Sequence, residues 1–346
     1  MQENTPVLAV ENLCVDILTR RRTLRAIDGI TLSIAPGEIL GMVGESGAGK
    51  SMFGSTVTAL LPGAARIASG RIVLCGRDVT QASGKEMNAV RGRDVGTVFQ
   101  DPLTSLDPLV TVGEQLIETI LAHDPRASRQ EASAKAVSLL EETGIAEASE
   151  RMRHYPHQFS GGMRQRVVIA LALASDPKLL IADEPTTALD VSIQAQIIAL
   201  LKRLAAERSM AVLLITHDMG VIAQTCDRVA VLYAGHLVEI GTVANVISRP
   251  QHPYTKGLMG SIPDIRSRTE WLEQIEGSMP GLDAIPAGCP FHPRCRASHE
   301  KCVAQKPPLM PMGSCEAACW LASPTGRAVP DSLVKFHPRT RTRRKP

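Results

Sequence analysis

The chain alternates between short apolar runs and stretches in which apolar residues recur every three or four positions. The recurring pattern is typical of amphipathic helices and predicts them over residues 50–61, 112–122, 127–143, 161–174 and 193–208. Apolar runs bounded by turn residues predict strands over residues 7–10, 30–34, 39–43, 179–182, 211–216 and 229–232. Strands that alternate with helices indicate an α/β sheet, interrupted by an inserted helical subdomain over about residues 101–176.

A change in composition near residue 250 divides the chain. Prolines become frequent beyond Ser248, and five of the eight cysteines lie between Cys289 and Cys319. A chain of 346 residues fits two domains, or one large domain with an appendage, at about 100–200 residues per domain. We therefore predict a first domain over residues 1–250 and a proline- and cysteine-rich extension over residues 251–346.

Hydropathy and charge exclude several classes of protein. No run of about 18 apolar residues is present and the N-terminus lacks signal-peptide features, so we expect a cytosolic chain with reduced cysteines. Five basic side chains lie within the last eight residues, which leaves the rest of the chain slightly acidic although the net charge is +3. The body therefore lacks the basic surface of a nucleic-acid-binding protein. The tail is expected to be a solvated end, with weak attraction to anionic lipid as the alternative.

Residues 44–51 match the phosphate-binding motif G-x-x-x-x-G-K-[ST], between an apolar strand and a helix. The motif consists of Gly44, Glu45, Ser46, Gly47, Ala48, Gly49, Lys50 and Ser51. Its glycines allow backbone N–H groups to face phosphate oxygens, and the helix N-terminus adds positive charge. Lys50 is expected to reach the β- and γ-phosphates of a nucleotide, and Ser51 to bind Mg²⁺. The alternative, a glycine-rich turn with an exposed lysine, is disfavoured by this context.

Two acidic residues follow the apolar run over residues 179–182. Asp183 is expected to bind Mg²⁺, directly or through water, and Glu184 is the candidate base that polarises an attacking water. An isolated Asp-Glu pair more often caps a following helix. A buried strand that ends in both acids, in a chain with a phosphate-binding motif, favours the catalytic interpretation.

Four further segments give the chain a resemblance to the ABC ATPases, which covers roughly residues 7–248. They are similar to the Q-loop at Gln100, the signature motif over residues 159–166, the D-loop over residues 187–190 and the H-loop over residues 215–218. The fifth signature position is Met163, where the family usually has glutamine. The resemblance implies a P-loop NTPase of ABC type, with an inserted helical subdomain and a Pro/Cys-rich C-terminal extension.

The resemblance also implies that ATP lies between two cassettes that pair head to tail. Ser160, Gly161 and Gly162 would then contact the ATP bound by the partner cassette, because they open a helix whose N–H groups can face a γ-phosphate. Asp190 would lie at the dimer seam.

Two residues are implied to act on this chain's own ATP. His217 would contact the γ-phosphate, although a locally bonded histidine at a strand end is the alternative. Gln100 would bind Mg²⁺, sense the attacking water and pass the change to the helical subdomain. Residues 19–25 contain no aromatic side chain to stack on adenine. Arg21 or Arg22 could stack through the guanidinium plane, and a solvated basic loop is the alternative.

Residues 100–108, 155–163, 252–256 and 288–295 make the chain similar to the ATP-binding subunits of oligopeptide and dipeptide importers. This implies two integral membrane permease subunits, a homologous ATP-binding subunit and an extracytoplasmic solute-binding protein as partners, with no nucleic acid. It also implies a peripheral position on the cytoplasmic face of the inner membrane. Nickel or another small solute is the alternative cargo, because importers of these solutes share the subfamily.

Two other functional classes compete with transport. A soluble ABC ATPase that acts on nucleic acid or ribosomes typically carries two cassettes or a long coiled coil, which this chain lacks. A regulatory module without turnover would not need Lys50, Asp183, Glu184 and His217 together. Both classes are therefore disfavoured.

Four cysteines of the extension form a candidate metal site: Cys289, Cys295, Cys302 and Cys319. A loop-rich segment with little apolar sequence can be held together by a metal centre in place of a core. Four thiolates suit a [4Fe–4S] cluster or tetrahedral Zn²⁺, and free thiols remain the third possibility. The resemblance to peptide importers favours the cluster, in a structural role. Cys315 stands outside this pattern.

Overall fold

The computed structural model describes residues 5–187, 189–261 and 274–322. Its strands, in chain order, are β1 (Leu8–Leu18), β2 (Thr23–Ile34), β3 (Ile39–Val43), β4 (Ala65–Leu74), β5 (Arg77–Asp78), β6 (Val95–Val98), β7 (Leu179–Asp183), β8 (Ala211–Ile215), β9 (Arg228–Tyr233), β10 (His236–Thr242), β11 (Met310–Met312) and β12 (Cys315–Ala317). The basic residues of the tail lie outside the described residues.

The α-helices follow the same numbering by chain order. They are α1 (Lys50–Val57), α2 (Gly84–Val90), α3 (Pro102–Ser105), α4 (Val112–His123), α5 (Arg129–Glu142), α6 (Ala148–Arg151), α7 (Gly161–Leu173), α8 (Val191–Arg208), α9 (Met219–Thr225), α10 (Val243–Ser248), α11 (Pro253–Gly260) and α12 (Glu300–Ala304). Two 3₁₀ turns lie at Pro156–Gln158 and His292–Arg294. Among the residues described, no helix combines the length and hydrophobicity needed to cross a bilayer.

Two sheets form the body of the molecule. The larger sheet has the order β11-β12-β10-β9-β3-β8-β7-β6, and its strands from β9 to β6 run parallel. The smaller sheet, β2-β1-β4-β5, is antiparallel, and apolar side chains of the two sheets and α1 share one core. The parallel strands β3, β7 and β8 are almost wholly buried, as expected for strands covered on both faces. The predicted α/β class is confirmed.

The helical insertion lies between β6 and β7. Its helices α4, α5 and α7 bury an apolar core against α8 and one face of the larger sheet. Side-chain caps fix the starts of these helices: Thr111, Ser128 and Ser160 each accept a hydrogen bond from a backbone N–H three residues on. The helices predicted over residues 112–122, 127–143 and 161–174 are confirmed to within two residues at each end.

Several predicted boundaries were wrong. The strands predicted over residues 7–10 and 30–34 are parts of β1 and β2, which span 11 and 12 residues. Their exposed polar positions, and a bulge at Asn12 with a left-handed φ of 45°, break the apolar pattern that the prediction followed. Helix α1 ends at Val57 instead of residue 61, because Ala59 turns into the left-handed region at a φ of 51°.

Residues beyond 250 are not separate from the main sheet. Strand β12 pairs antiparallel with β10, and β11 pairs with β12 at the sheet edge. The buried aromatic residues Tyr233, Tyr254 and Phe291 share one apolar cluster with cysteines of the extension. The boundary near residue 250 stays a prediction, and the extension packs directly on the sheet that carries the phosphate-binding motif.

Candidate active site

The phosphate-binding motif forms the turn between β3 and α1. Gly49 precedes the helix with a φ of 100°, a conformation that side chains rarely adopt. At Gly44 a Cβ atom would lie 2.3 Å from the carbonyl oxygen of Leu232, so a larger residue would collide with backbone. These two glycines allow the loop to turn tightly against the sheet at the start of the helix.

Lys50 is buried and bends back over the loop. Its Nζ donates to the carbonyl oxygens of Gly44 at 2.8 Å and Glu45 at 3.1 Å. Burial lowers the pKa of Lys50, while the negative charges of Glu184, Asp183 and Glu45 oppose that shift. The amine is thus a buried cation with carbonyl partners that phosphate oxygens can replace.

Asp183 offers a buried carboxylate oxygen for a cation. Among the described residues its Oδ1 has no hydrogen-bond partner. Burial raises the pKa of Asp183, and a hydrogen bond from Ser51 opposes the shift. Mg²⁺ is usually bound by one or two carboxylates together with substrate phosphates. The orphaned oxygen beside the Ser51 hydroxyl therefore fits a magnesium site of that kind.

The carboxylate of Glu184, which follows β7, contacts side chains that follow the two neighbouring parallel strands, β6 and β8. Its carboxylate accepts hydrogen bonds from Gln100 Nε2 at 3.1 Å and from Thr187 Oγ1 at 2.9 Å. Its other oxygen lies 3.2 Å from Nδ1 of His217. Gln100 follows β6, Glu184 follows β7 and His217 follows β8, so the carboxyl edge of the sheet brings them together.

The hydrogen bonds around Glu184 favour its ionised form. Burial alone would raise the pKa of Glu184, but the bonds from Thr187 and His217 and the charge of Lys50 outweigh burial and lower it. The backbone N–H of Glu184 donates to the carbonyl of Ile215 at 2.8 Å, which fixes its left-handed φ of 47°. An ionised carboxylate held this way can accept a proton from water.

The signature residues lie apart from Gln100, Glu184 and His217. Ser160 and Gly161 are exposed at the start of α7, and Gly162 packs so closely on α8 that a Cβ would lie 2.5 Å from Ile193. Asp190 caps α8 by accepting a hydrogen bond from the Ile193 N–H at 2.9 Å. Within the described ranges, no hydrogen bond or ion pair joins Ser160, Gly161, Gly162 or Asp190 to residues 44–51.

In the part of the extension that the structure describes, Tyr254 and Arg294 contact the phosphate-binding motif, and no role was predicted for either residue. The hydroxyl of Tyr254 accepts a hydrogen bond from the Glu45 N–H at 2.9 Å. Arg294 donates to both carboxylate oxygens of Glu45, at 3.0 and 3.1 Å. The available signal was that both residues lie in segments similar to peptide importers, 252–256 and 288–295.

Arg22 already has a partner in the extension. Its guanidinium forms an ion pair with Asp283 at 2.7 Å, and both side chains are about half exposed, at 53% each. Stacking of Arg21 or Arg22 on adenine stays a prediction.

Of the four predicted ligand cysteines, Cys289, Cys302 and Cys319 are buried and Cys295 is partly buried. The backbone N–H of Cys289 donates to the carbonyl oxygen of Cys302 at 2.8 Å. Burial raises the pKa of the Cys295 thiol to about 12, and charge on Cys319, Cys289 and Cys302 adds to the shift. Burial, and then the charge of Glu239, raise the pKa of the Cys315 thiol to about 11. The residues that the structure describes contain no group of three or more His, Cys, Asp or Glu side chains positioned to hold a metal ion.

Comparisons with known proteins give two family matches. Residues 27–187 match the ABC transporter family, and residues 238–302 match the C-terminal region of oligopeptide/dipeptide transporters. The first match contains the phosphate-binding motif, Gln100, Asp183 and Glu184, and the second contains Tyr254 and Arg294.

Relatives and solved structures are similar to this chain over most of their own length. The chain is 49% identical to the dipeptide transport ATP-binding protein DppD of Bacillus subtilis, over 84% of this chain and 86% of that protein. It is 43% identical to the oligopeptide transport ATP-binding protein OppD of Haemophilus influenzae, over 92% and 98%. The dimeric structure of the bacterial ABC transporter cassette MJ0796 superposes with a TM-score of 0.61 at 29% identity, covering 68% of this chain and 98% of that one.

Proposed function

Because the chain belongs to the ABC transporter family of ATP-binding proteins, we propose that it hydrolyses ATP to power the import of dipeptides and oligopeptides through a membrane transporter. The observation that carries this proposal is the meeting of Gln100, Glu184 and His217 at the sheet edge where Lys50 lies buried. The names of the relatives, which are dipeptide and oligopeptide transport proteins, support the peptide as cargo.

In the proposed reaction Lys50 exchanges its carbonyl partners for the β- and γ-phosphates of ATP. Ser51, Asp183 and Gln100 would hold Mg²⁺, which would neutralise phosphate charge. Glu184 orients the attacking water and accepts its proton, for which its lowered pKa keeps it ionised at neutral pH. His217, held beside Glu184 at 3.2 Å, contacts the γ-phosphate.

The exposed signature residues are proposed to complete the ATP site of a partner cassette. Ser160 and Gly161 present a free helix N-terminus to solvent, which attracts phosphate through its unpaired N–H groups. In a head-to-tail pair these groups and Gly162 face the ATP of the partner cassette, and Asp190 lies at the seam. ATP then closes the pair and hydrolysis reopens it, a two-state change biased by the γ-phosphate.

Membrane partners are proposed to dock beside the Q-loop. Phe99, Leu103 and Leu109 are large apolar side chains with exposed fractions of 48%, 60% and 84%. Exposed apolar side chains in one segment are typical of a protein contact. We assign this surface to two permease subunits, which place the chain peripherally at the cytoplasmic face of the inner membrane. A homologous ATP-binding subunit and an extracytoplasmic solute-binding protein complete the complex.

Reconstitution tests the proposed cargo. The chain is expected to co-purify with integral membrane subunits and, in vesicles, to hydrolyse ATP faster when the solute-binding protein carries a dipeptide or oligopeptide. Stimulation by nickel instead of peptide would show that nickel is the cargo, and it would leave the proposed ATP-driven import unchanged. Full ATPase activity with no membrane partner and no response to either solute would contradict the transport function.

We further propose that Cys289, Cys295, Cys302 and Cys319 hold a structural [4Fe–4S] cluster, with Zn²⁺ as the alternative. The support is a set of four thiols within one short segment, three of them buried. Thiolate sets of this kind suit either centre. Because the cluster would cross-link residues 274–322, its loss is expected to lower stability more than turnover.

Anaerobic purification tests the metal centre. The protein is expected to absorb visible light and to contain iron and acid-labile sulfide. The variant Cys295→Ser should lose both, whereas Cys315→Ser, outside the set of four, should retain them. A colourless, iron-free protein would count against the cluster. Stoichiometric zinc in that protein would identify the centre as a Zn²⁺ site.

A further inference from the structure

Glu45 places a negative charge in the loop that is proposed to bind phosphates. It is the second residue of the motif, and its charge acts on the amine of Lys50 together with the charges of Asp183 and Glu184. An unpaired carboxylate at this position would repel the phosphates of ATP, since like charges oppose binding most where water is partly excluded.

The side chain of Glu45 is paired with a buried cation from the extension. Arg294 Nη1 lies 3.0 and 3.1 Å from the two carboxylate oxygens, and only 8% of the Arg294 side chain is exposed. The same guanidinium donates to the carbonyl oxygen of Glu276 through Nε at 2.8 Å and lies 5.8 Å from the ring centre of Tyr233. Contacts from several directions thus fix the cation in place before any nucleotide binds.

The backbone of Glu45 is held from the same side. Its N–H donates to the hydroxyl of Tyr254, a fully buried residue whose ring packs edge-on against Tyr233. The start of this segment is anchored by the buried Glu239, which accepts hydrogen bonds from the N–H groups of Gln251 at 2.8 Å and of the next residue at 2.9 Å. Both the main chain and the side chain of Glu45 therefore depend on residues beyond 250.

We propose that Arg294 is a positioning residue, which neutralises Glu45 in the phosphate-binding loop and makes the loop's affinity for ATP depend on the cysteine segment. The inference rests on the proposed ATP-binding function. Arg294 directly precedes Cys295, so whatever orders the four cysteines also places the guanidinium. The pair joins positions 249 residues apart, which makes it a tertiary connection between the extension and the site.

Substitution of Arg294 by methionine tests the proposal, because methionine keeps an apolar stem and removes the charge. In the full-length protein, the Kd for ATP and the KM are expected to rise about 10-fold, the effect of losing one charge-assisted contact, while kcat stays within about 3-fold. The double variant Glu45→Gln/Arg294→Met removes both charges and is expected to recover most of the wild-type affinity. The single variant Glu45→Gln completes a double-mutant cycle, which measures the coupling between the two side chains.

Arg296→Met is the matched control, because Arg296 lies on the other side of Cys295 and pairs with Glu276 at 2.6 Å. It is expected to keep wild-type ATP affinity. If Arg294→Met does not fold, Arg294→Gln retains hydrogen-bond donors without the charge and should show the same loss.

Two results would overturn the proposal: wild-type ATP affinity in Arg294→Met, or equal weakness of the single and double variants, which would make the contact merely structural. A wild-type protein that binds no ATP would refute the proposed function instead.

Discussion

Replacing Lys50 with alanine is expected to weaken ATP binding roughly 10- to 100-fold and to abolish transport. A charge-assisted contact contributes about 1.5–3 kcal/mol, which corresponds to that loss in affinity. The substitution also removes the hydrogen bonds that hold the carbonyls of Gly44 and Glu45 at 2.8 and 3.1 Å. Equilibrium binding of a fluorescent ATP analogue would measure the first effect, and uptake into vesicles the second.

The control for this variant is Lys85→Ala, which removes an exposed lysine on α2 far along the chain from the motif. It is expected to bind ATP like the wild type. Unchanged affinity in Lys50→Ala would remove residues 44–51 from the role of phosphate-binding loop.

Replacing Glu184 with glutamine is expected to preserve ATP binding and to reduce hydrolysis by about 10²- to 10⁴-fold, the usual contribution of a general base. The amide keeps the size of the carboxylate and can still bond Thr187 and Gln100, but it cannot accept a proton from water. The closed, ATP-bound pair should therefore accumulate. Single-turnover hydrolysis and size-exclusion chromatography with ATP would measure the two effects.

The same exchange at Glu150, an exposed position of the helical insertion, serves as the control and should leave turnover unchanged. Normal hydrolysis by Glu184→Gln in the assembled transporter would show that another group is the base. In that case the hydrogen bonds from Gln100 and His217 to Glu184 would have a purely structural meaning.

Much of the site could be predicted from the sequence because its residues lie at the ends of strands that carry a strong apolar signal. The runs before Gly44, Glu184 and His217 are buried strands of five residues each. Parallel neighbours place their carboxyl ends at one edge, so side chains far apart along the chain meet there. The α/β class and the main helices were predictable for the same reason.

The remaining features depend on contacts that no local pattern contains. Strands β1 and β2 expose polar residues on one face, so their apolar pattern covers only part of their length. The pairing of Glu45 with Arg294 and Tyr254 joins residues more than 200 positions apart. Arginine and tyrosine in a proline-rich segment give no sign of such a partner, because their role depends on how the extension folds back.

The edge of the larger sheet formed by β10, β12 and β11 also affects how readily the protein can self-associate. Strand β10 is buried over its first six residues, and β12 covers its outer side. Left uncovered, such a strand would offer free N–H and C=O groups to other chains, the usual route to edge-to-edge aggregation. The strand that ends the sheet, β11, has only three residues and contains Pro311, which has no N–H to donate. The extension thus covers this edge of the sheet, and a chain cut at residue 250 is expected to self-associate through β10 as well as to lose Arg294.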